Sequence, residues 1–258
     1  MNARWLVTPY FFDEYDPGLS GVVPDGANLR MNDPGEVHDR SPESLSRTHV
    51  PIASFVEQAV GAGELPVSVA GDCAASLPVM AGLQATGLSP VLIWLDGHGD
   101  FNIPETSPSG FLGGMPLAMM VGRGNQAFGK NVGLTPVPEQ DVWLVGARDL
   151  DPPERENLRN SRVNRIDVSD LGQLRVDRPV YLHIDNDVID ASEVPANNYP
   201  VIGGPGLVET MAACTRFASQ NDARAVSLSG WNSALDSDGR TCLACKRLMK
   251  AVTEACRR

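Results

Sequence analysis

The chain has 258 residues, of which 42% are hydrophobic and 21% charged, so it is long enough to bury one substantial core. Its formal net charge of −11 argues against nucleic acid or an anionic membrane as a partner, because both favour a basic surface. No apolar stretch reaches the roughly 20 residues of a membrane helix, and the first twelve residues lack a leader pattern. We therefore expect a cytoplasmic protein with one domain over residues 1–258.

Short runs of β-forming residues alternate with amphipathic helical patterns along the chain. The predicted strands are Trp5–Thr8, Leu65–Ala70, Pro90–Leu95, Val142–Val145, Val180–Ile184 and Ala223–Leu228. The predicted helices are Pro51–Ala62, Ser76–Gln84, Gly206–Ser219 and Thr241–Cys256. Residues 17–46 and 103–114 are predicted loops, and His49 is expected on the surface. The alternation is typical of an α/β fold with a mostly parallel sheet covered on both faces.

Two segments place potential metal ligands at alternate positions directly after apolar strands. They contribute Asp96, His98, Asp100, Asp185 and Asp187. Alternate residues of an extended segment point to one face, and the carboxyl ends of parallel strands share one edge of a sheet. One such segment alone is equally typical of a solvated loop or a capping turn. Two of them favour a pair of divalent ions such as Mn²⁺, which acidify a shared water for hydrolysis.

Several segments together resemble the signatures of the ureohydrolase superfamily, the arginases and agmatinases. They are Gly71–Cys73, Asp96–Asp100, Asp185–Asp190 and Gly203–Leu207. The resemblance extends from about residue 71 to the C-terminus. It implies a three-layer αβα arginase-type fold and two Mn²⁺ ions, with the five alternating Asp and His residues named above as ligands.

Further positions resemble arginases rather than agmatinases. Segment 148–152, which contains Asp149 and Asp151, is similar to a sequence run of arginases. In arginases the second aspartate of this run, at the position of Asp151, binds the substrate α-ammonium group. Asn102 and Ser109 match positions that bind the α-carboxylate. The resemblance therefore implies a guanidino L-amino acid as substrate. Without that resemblance, the two aspartates would be interpreted as turn or helix-capping residues before Pro152.

Cys73 stands where the family has its first histidine ligand. A thiolate can bind a divalent ion once the metal lowers the thiol pKa from about 8.5, although a soft donor weakly disfavours Mn²⁺. We predict that Cys73 is a metal ligand. The alternative is a buried thiol beside a site that has lost one ligand.

Two glycines stand where arginases keep functional side chains. Gly113 replaces a proton-shuttling histidine, and Gly230 replaces a glutamate near the substrate guanidinium. A strongly basic guanidinium would then lack a charge partner and an acid for the departing amine. An N-hydroxylated guanidine is less basic, so it depends less on a charge partner and on an acid for the leaving group.

Together with Cys73, these glycines resemble the Nω-hydroxy-L-arginine amidinohydrolase type of D-cycloserine biosynthesis. Hydrolysis of Nω-hydroxy-L-arginine to hydroxyurea and L-ornithine is therefore the predicted function. Arginase activity, or activity on another guanidino acid, is one alternative. A non-catalytic arginase-like binding protein is the other.

A proton carrier and an oligomeric state are the remaining expectations. His183 alternates with Asp185 and Asp187, so it is a candidate substitute proton carrier, although such a histidine is more often a satisfied core residue. The sequence stops soon after the helix that ends near Cys256, without the tail that helps some arginases assemble. A monomer is therefore preferred.

Overall fold

A computed structural model describes residues 1–35 and 37–256, so position 36 and the last two residues of the predicted domain lie outside the described residues. The strands are β1 (Ala3–Thr8), β2 (Tyr10–Phe11), β3 (Glu14–Tyr15), β4 (Asn28–Met31), β5 (Leu65–Ala70), β6 (Val91–Leu95), β7 (Val142–Val145), β8 (Asn164–Ile166), β9 (Val180–Asp185) and β10 (Ala223–Ser229). The helices are α1 (Pro42–Gly61), α2 (Ser76–Ala85), α3 (Pro116–Met120), α4 (Ala127–Asn131), α5 (Pro152–Arg159), α6 (Val168–Leu171), α7 (Leu207–Gln220) and α8 (Arg240–Ala255).

Eight strands form one sheet in the order β4-β1-β5-β10-β9-β6-β7-β8. Each ladder between neighbouring strands of this sheet is parallel. β2 and β3 form a separate antiparallel hairpin. The prediction of a mostly parallel sheet is confirmed.

Strand side chains alternate between two hydrophobic clusters, one on each face of the sheet. Ile93 belongs to a cluster that contains Phe217 of α7 and Leu248 of α8. The next residue, Trp94, belongs to the cluster that contains Phe55 of α1. Because successive strand residues point to opposite faces, helices cover both sides, and the predicted three-layer αβα class is confirmed. None of the described helices is both long and apolar enough to cross a membrane.

The N-terminal third differs most from the sequence-based expectation. α1 begins at Pro42, where Ser41 caps it by accepting a hydrogen bond from the Ser44 backbone N–H, and it continues through Pro51. The predicted start at Pro51 was wrong, because proline marks a first turn more often than a helix interior. The predicted surface position of His49 was wrong for the same reason, since the longer helix buries it. β4 was missed because it lies within the predicted loop 17–46, and its four exposed residues give only a short alternation of polar and apolar side chains.

The strand order brings the candidate residues to one edge of the sheet. β5, β10, β9 and β6 are consecutive neighbours, and Cys73, Gly230, Asp187 and Asp96 follow their carboxyl ends. In parallel α/β sheets, binding sites form beyond this edge. The sheet topology therefore positions the site.

Candidate metal centre

The turn after β5 holds Cys73 in place through Asp72. One Asp72 carboxylate oxygen accepts a hydrogen bond from the Phe12 backbone N–H at 2.7 Å, and the other accepts from the Ala74 N–H at 3.0 Å. The second bond caps the short 3-10 turn Cys73–Ala75. Cys73 is thereby fixed at the sheet edge with only 6% of its surface exposed.

The segment after β6 orients Asp96 by hydrogen bonds from both sides. The Trp94 indole N–H donates to Asp96 Oδ2 at 2.9 Å, and the His98 backbone N–H donates to Oδ1 at 2.7 Å. Asp100 adopts φ = 48°, in the left-handed region that residues other than glycine rarely occupy. Such backbone strain is concentrated at functional sites, because surrounding structure must enforce it.

The segment after β9 joins the two halves of the cluster. Asp185 Oδ1 accepts a hydrogen bond from the Asp187 backbone N–H at 2.9 Å. Asp187 Oδ1 accepts from the Gly97 backbone N–H at 2.8 Å, and its Oδ2 lies 2.9 Å from His98 Nδ1. These contacts fix the two aspartates against the segment after β6.

The structure brings the predicted ligands together in two overlapping groups. One group consists of Cys73, Asp96 and Asp100, and the other of Asp96, His98 and Asp187, with ligand atoms within 4.8 Å of one another in each group. The Cys73 thiol also donates to Asp185 Oδ2 at 3.0 Å. All these side chains except His98 are buried. Asp96 belongs to both groups, as a bridging ligand would.

Burial and mutual repulsion disfavour the ionised forms of Asp100, Asp185 and Asp187. For Asp96, burial is outweighed by hydrogen bonds and by the charge of His98, which lower its pKa. Burial, followed by repulsion from Asp96, raises the pKa of Asp185 to about 6. The pKa of Asp100 is raised well above its usual value by burial and by Asp96. Burial alone would lower the pKa of His98, but hydrogen bonds to Asp187 and Asp96 raise it to about 12. The cluster therefore stabilises positive charge strongly.

A cavity of about 230 Å³ opens above this cluster. The four residues predicted to bind substrate also line it, namely Asn102, Ser109, Asp149 and Asp151. The Asn102 side-chain amide donates to Asp151 Oδ2 at 3.1 Å. The cavity thus joins the predicted metal ligands and the predicted substrate-binding residues in one space.

His183 lies beneath the cluster and is not among the residues that line the cavity. It is 1% exposed, and its Nδ1 lies 2.8 Å from Ser227 Oγ. Its Nε2 lies 3.4 Å from Cys73 Sγ. His183 thus contacts the cluster from behind, and its role as a proton carrier stays a prediction.

Sequence reasoning missed other residues that line the cavity. They are Phe11, Phe12, Phe111, Tyr199, Asn197 and Glu154. Glu154 follows the acidic run at 149–151 in the first turn of α5, and that position was an available signal. The aromatic residues come from three segments that are far apart in sequence, and nothing in their local sequence distinguishes them from core residues.

Comparison with known proteins identifies the family. The sequence profile of the Arginase family matches residues 13–253. The chain belongs to the arginase family. Members of this family are hydrolases of amidine C–N bonds and depend on a binuclear metal centre.

Individual relatives of this arginase-family chain carry two kinds of name. An arginase from Bacillus caldovelox is 30% identical over 92% of this chain and 85% of its own. An N(omega)-hydroxy-L-arginine amidinohydrolase from Streptomyces lavendulae is 36% identical over 58% of this chain and 55% of its own. The solved structure of the Bacillus caldovelox arginase superposes with a TM-score of 0.84, at 24% identity, covering 98% of both chains.

The cluster fits the binuclear metal centre of the arginase family. Asp100 Oδ2 is buried and has no hydrogen-bond partner among the described residues, although an unpaired buried carboxylate oxygen is costly. Hard oxygen donors with one imidazole suit Mn²⁺ and similar ions. Divalent cations would offset the repulsion that raises the aspartate pKa values. The donor chemistry and the orphaned oxygen therefore both match bound metal.

Gly230 is confined to glycine by its surroundings. Its φ is +87°, and a Cβ there would overlap Asp185 Oδ1 and lie 2.6 Å from Asn197 Nδ2. A glutamate, which the resemblance gives to arginases at this position, would displace residues beside the cluster. The turn after β10 thus leaves no room for an acidic side chain.

Proposed function

We propose that this arginase-family chain is a dimanganese amidinohydrolase that converts Nω-hydroxy-L-arginine into hydroxyurea and L-ornithine. The observation that carries the proposal is one cavity that joins the ligand cluster, the four predicted substrate-binding residues and glycines at 113 and 230. The cluster supports hydrolysis, and the glycines support a weakly basic guanidine. The name of the Streptomyces lavendulae relative agrees with this substrate.

The proposed ligand sets add Asp185, which belongs to neither group, to each of the two groups in the structure. Cys73, Asp96, Asp100 and Asp185 would hold one ion, and Asp96, His98, Asp185 and Asp187 would hold the other. When bound, the pair supplies a water of lowered pKa and positive charge that stabilises the transition state. Asp185 is included because it contacts Cys73 and the Asp187 backbone N–H.

The rim of the cavity would bind the amino-acid head of the substrate. Asp151 offers a carboxylate to the α-ammonium group, with Asp149 beside it on the rim. Asn102 and Ser109 offer an amide and a hydroxyl to the α-carboxylate. Holding the head at the rim directs the guanidino carbon toward the cluster, which is how positioning lowers an activation barrier.

Neither glycine can move a proton or balance a positive charge. A guanidinium entering this cavity would lose water without gaining an ionic partner at either position. N-hydroxylation lowers the basicity of the guanidine, so more of the substrate is uncharged. This argument favours the hydroxylated substrate over L-arginine.

A panel of three substrates tests the proposal. The Mn²⁺-loaded protein should hydrolyse Nω-hydroxy-L-arginine faster than L-arginine, and agmatine, which lacks a carboxylate, should be the poorest. Metal analysis should find two ions per chain. Equal or greater turnover of L-arginine would support arginase activity instead.

The same experiment addresses the non-catalytic alternative. Fewer than one tightly held ion per chain, together with no hydrolysis after Mn²⁺ is added, would support a binding protein. The cytoplasmic location, the monomeric state and the D-cycloserine type of pathway stay predictions.

A further inference from the structure

The ring of Phe111 occupies the volume that a side chain at position 113 would need. A Cβ built on Gly113 would overlap Phe111 Cε1 and lie 2.6 Å from Cζ. Any larger residue at 113 would therefore have to displace the ring. The glycine and the phenylalanine are structurally coupled.

Phe111 belongs to an aromatic wall, which we define as Phe11, Phe12, Phe111 and Tyr199. The Phe111 ring centroid lies 6.4 Å from that of Phe11, 5.9 Å from Phe12 and 5.0 Å from Tyr199. All four residues line the cavity. The cavity is therefore lined by an apolar surface, the aromatic wall, as well as by the acidic cluster.

A fixed cation already occupies one side of this wall. The Arg40 guanidinium carbon lies 5.6 Å from the Phe11 centroid and 5.1 Å from the Phe12 centroid. Ion pairs with Asp13 at 2.7 Å and Glu14 at 2.8 Å hold it there. Arg40 therefore uses part of the cation–π attraction of Phe11 and Phe12, while its own charge is balanced by the two carboxylates.

We propose that Phe111 is a specificity-determining residue whose ring selects an uncharged, planar guanidine over a guanidinium. A planar neutral group stacks on an aromatic face without losing a charged hydration shell. A guanidinium loses that shell, and the four residues of the wall carry no anion to replace it. The inference rests on the proposed function, and it assigns the substrate preference to a particular side chain.

Substrate competition tests this assignment. Phe111→Leu should lower the ratio of kcat/KM for Nω-hydroxy-L-arginine to that for L-arginine by about three- to tenfold, the range expected for one lost aromatic contact. Phe128→Leu is the matched control, because Phe128 is buried in α4 and does not line the cavity. Its ratio should equal that of the wild type. An unchanged ratio in Phe111→Leu would overturn the inference.

A binding experiment separates this inference from the proposed reaction. L-Citrulline and L-lysine share an amino-acid head but end in an uncharged planar group and a cation, respectively. Calorimetry on the Mn²⁺-loaded protein should show tighter binding of L-citrulline, and Phe111→Leu should narrow the difference about three- to tenfold. If calorimetry gives this result but the protein hydrolyses no guanidine, the proposed function is wrong and the inferred role of Phe111 is supported. If the protein hydrolyses the hydroxylated substrate but Phe111→Leu changes neither ratio, the proposed function is supported and the inferred role of Phe111 is wrong.

A double substitution tests the structural coupling. Gly113→Ala should lower the melting temperature of the wild type, because the new Cβ overlaps the ring. In a Phe111→Ala background the same change should cost little, since the ring is gone. Equal losses in both backgrounds would refute the coupling between the two positions.

Discussion

The floor and the wall of the cavity are built in different ways. The floor consists of buried aspartates and Cys73 at strand ends, where backbone N–H groups fix Asp96 and Asp185 by hydrogen bonds. The wall consists of aromatic residues from three segments, namely the end of β2 and two loops, which contact one another through their rings. The sheet register determines the floor, whereas loop composition determines the wall. We therefore expect metal binding to depend on the strand-end residues of the floor, and the choice of substrate to depend on the residues of the wall.

Gly230 lies beside Asp185 of the floor, and its substitution should have the largest effect. Gly230→Ala should lower the free energy of unfolding by about 3 kcal/mol, from a strained positive φ and overlap with Asp185. Gly63→Ala is the matched control, because its φ is +72° and no atom lies within 4 Å of the new Cβ. It should cost only about 1 kcal/mol. Equal costs in urea unfolding would show that the turn at Gly230 tolerates a side chain.

Cys73 tests whether the floor binds metal as a unit. Cys73→Ala should weaken Mn²⁺ binding by more than about a hundredfold, which exceeds the roughly 10- to 100-fold loss caused by removing a residue that only hydrogen-bonds a ligand, and activity should fall with it. Cys73→His should retain both properties, since imidazole also binds Mn²⁺. Metal titration by calorimetry measures the affinity directly. Unchanged affinity in the alanine variant would remove Cys73 from the ligand set.

The floor could be predicted from the sequence because its signals are local. Alternating Asp and His residues follow apolar runs, and parallel strands bring their carboxyl ends together without further information. The structure accordingly places Asp96, His98, Asp100 and Asp187 within two compact groups. Their role as ligands remains to be measured, but their proximity was expected.

The wall could not be predicted because its contacts join residues far apart in sequence. Phe11 and Tyr199 both contact the ring of Phe111, and no spacing rule connects the three segments. The contact of His183 with Ser227 and Cys73 likewise depends on how β9 and β10 pack. The continuation of α1 through Pro51 could not be predicted for another reason. Proline disfavours a helix interior, and here tertiary packing overrides that propensity.

Substitution of Asp151 tests whether the rim residues bind substrate or instead support the metal ligands of the floor. Asp151→Ala should raise KM for Nω-hydroxy-L-arginine about thirtyfold, the cost of a lost charge-assisted hydrogen bond to the α-ammonium group. Hydrolysis of 5-guanidinopentanoate, the analogue of arginine that lacks the α-ammonium group, should change little in the same variant. A fall in kcat with both substrates would instead place Asp151 in support of the floor.

Glu154 lies at the base of the rim, and its substitution should have the smallest effect. It is 3% exposed and accepts a hydrogen bond from the Phe101 backbone N–H at 2.8 Å. Burial raises its pKa from 4.5 to about 7, despite the opposing hydrogen bond from Phe101. Glu154→Gln keeps an acceptor for Phe101 and removes the titrating proton, so it isolates the contribution of this carboxyl.

Because the folded-state pKa of Glu154 is raised, its contribution to stability is present below pH 4.5 and is lost as pH rises through 7. Between about pH 5 and 7 the wild type should lose about 2 kcal/mol more stability than Glu154→Gln. Glu156→Gln is the control on the same helix, since its exposed side chain pairs with Arg159 in solvent. Urea unfolding at several pH values measures the difference. Parallel pH profiles for wild type and Glu154→Gln would mean that Glu154 stays ionised, and the rim would then share the negative charge of the floor.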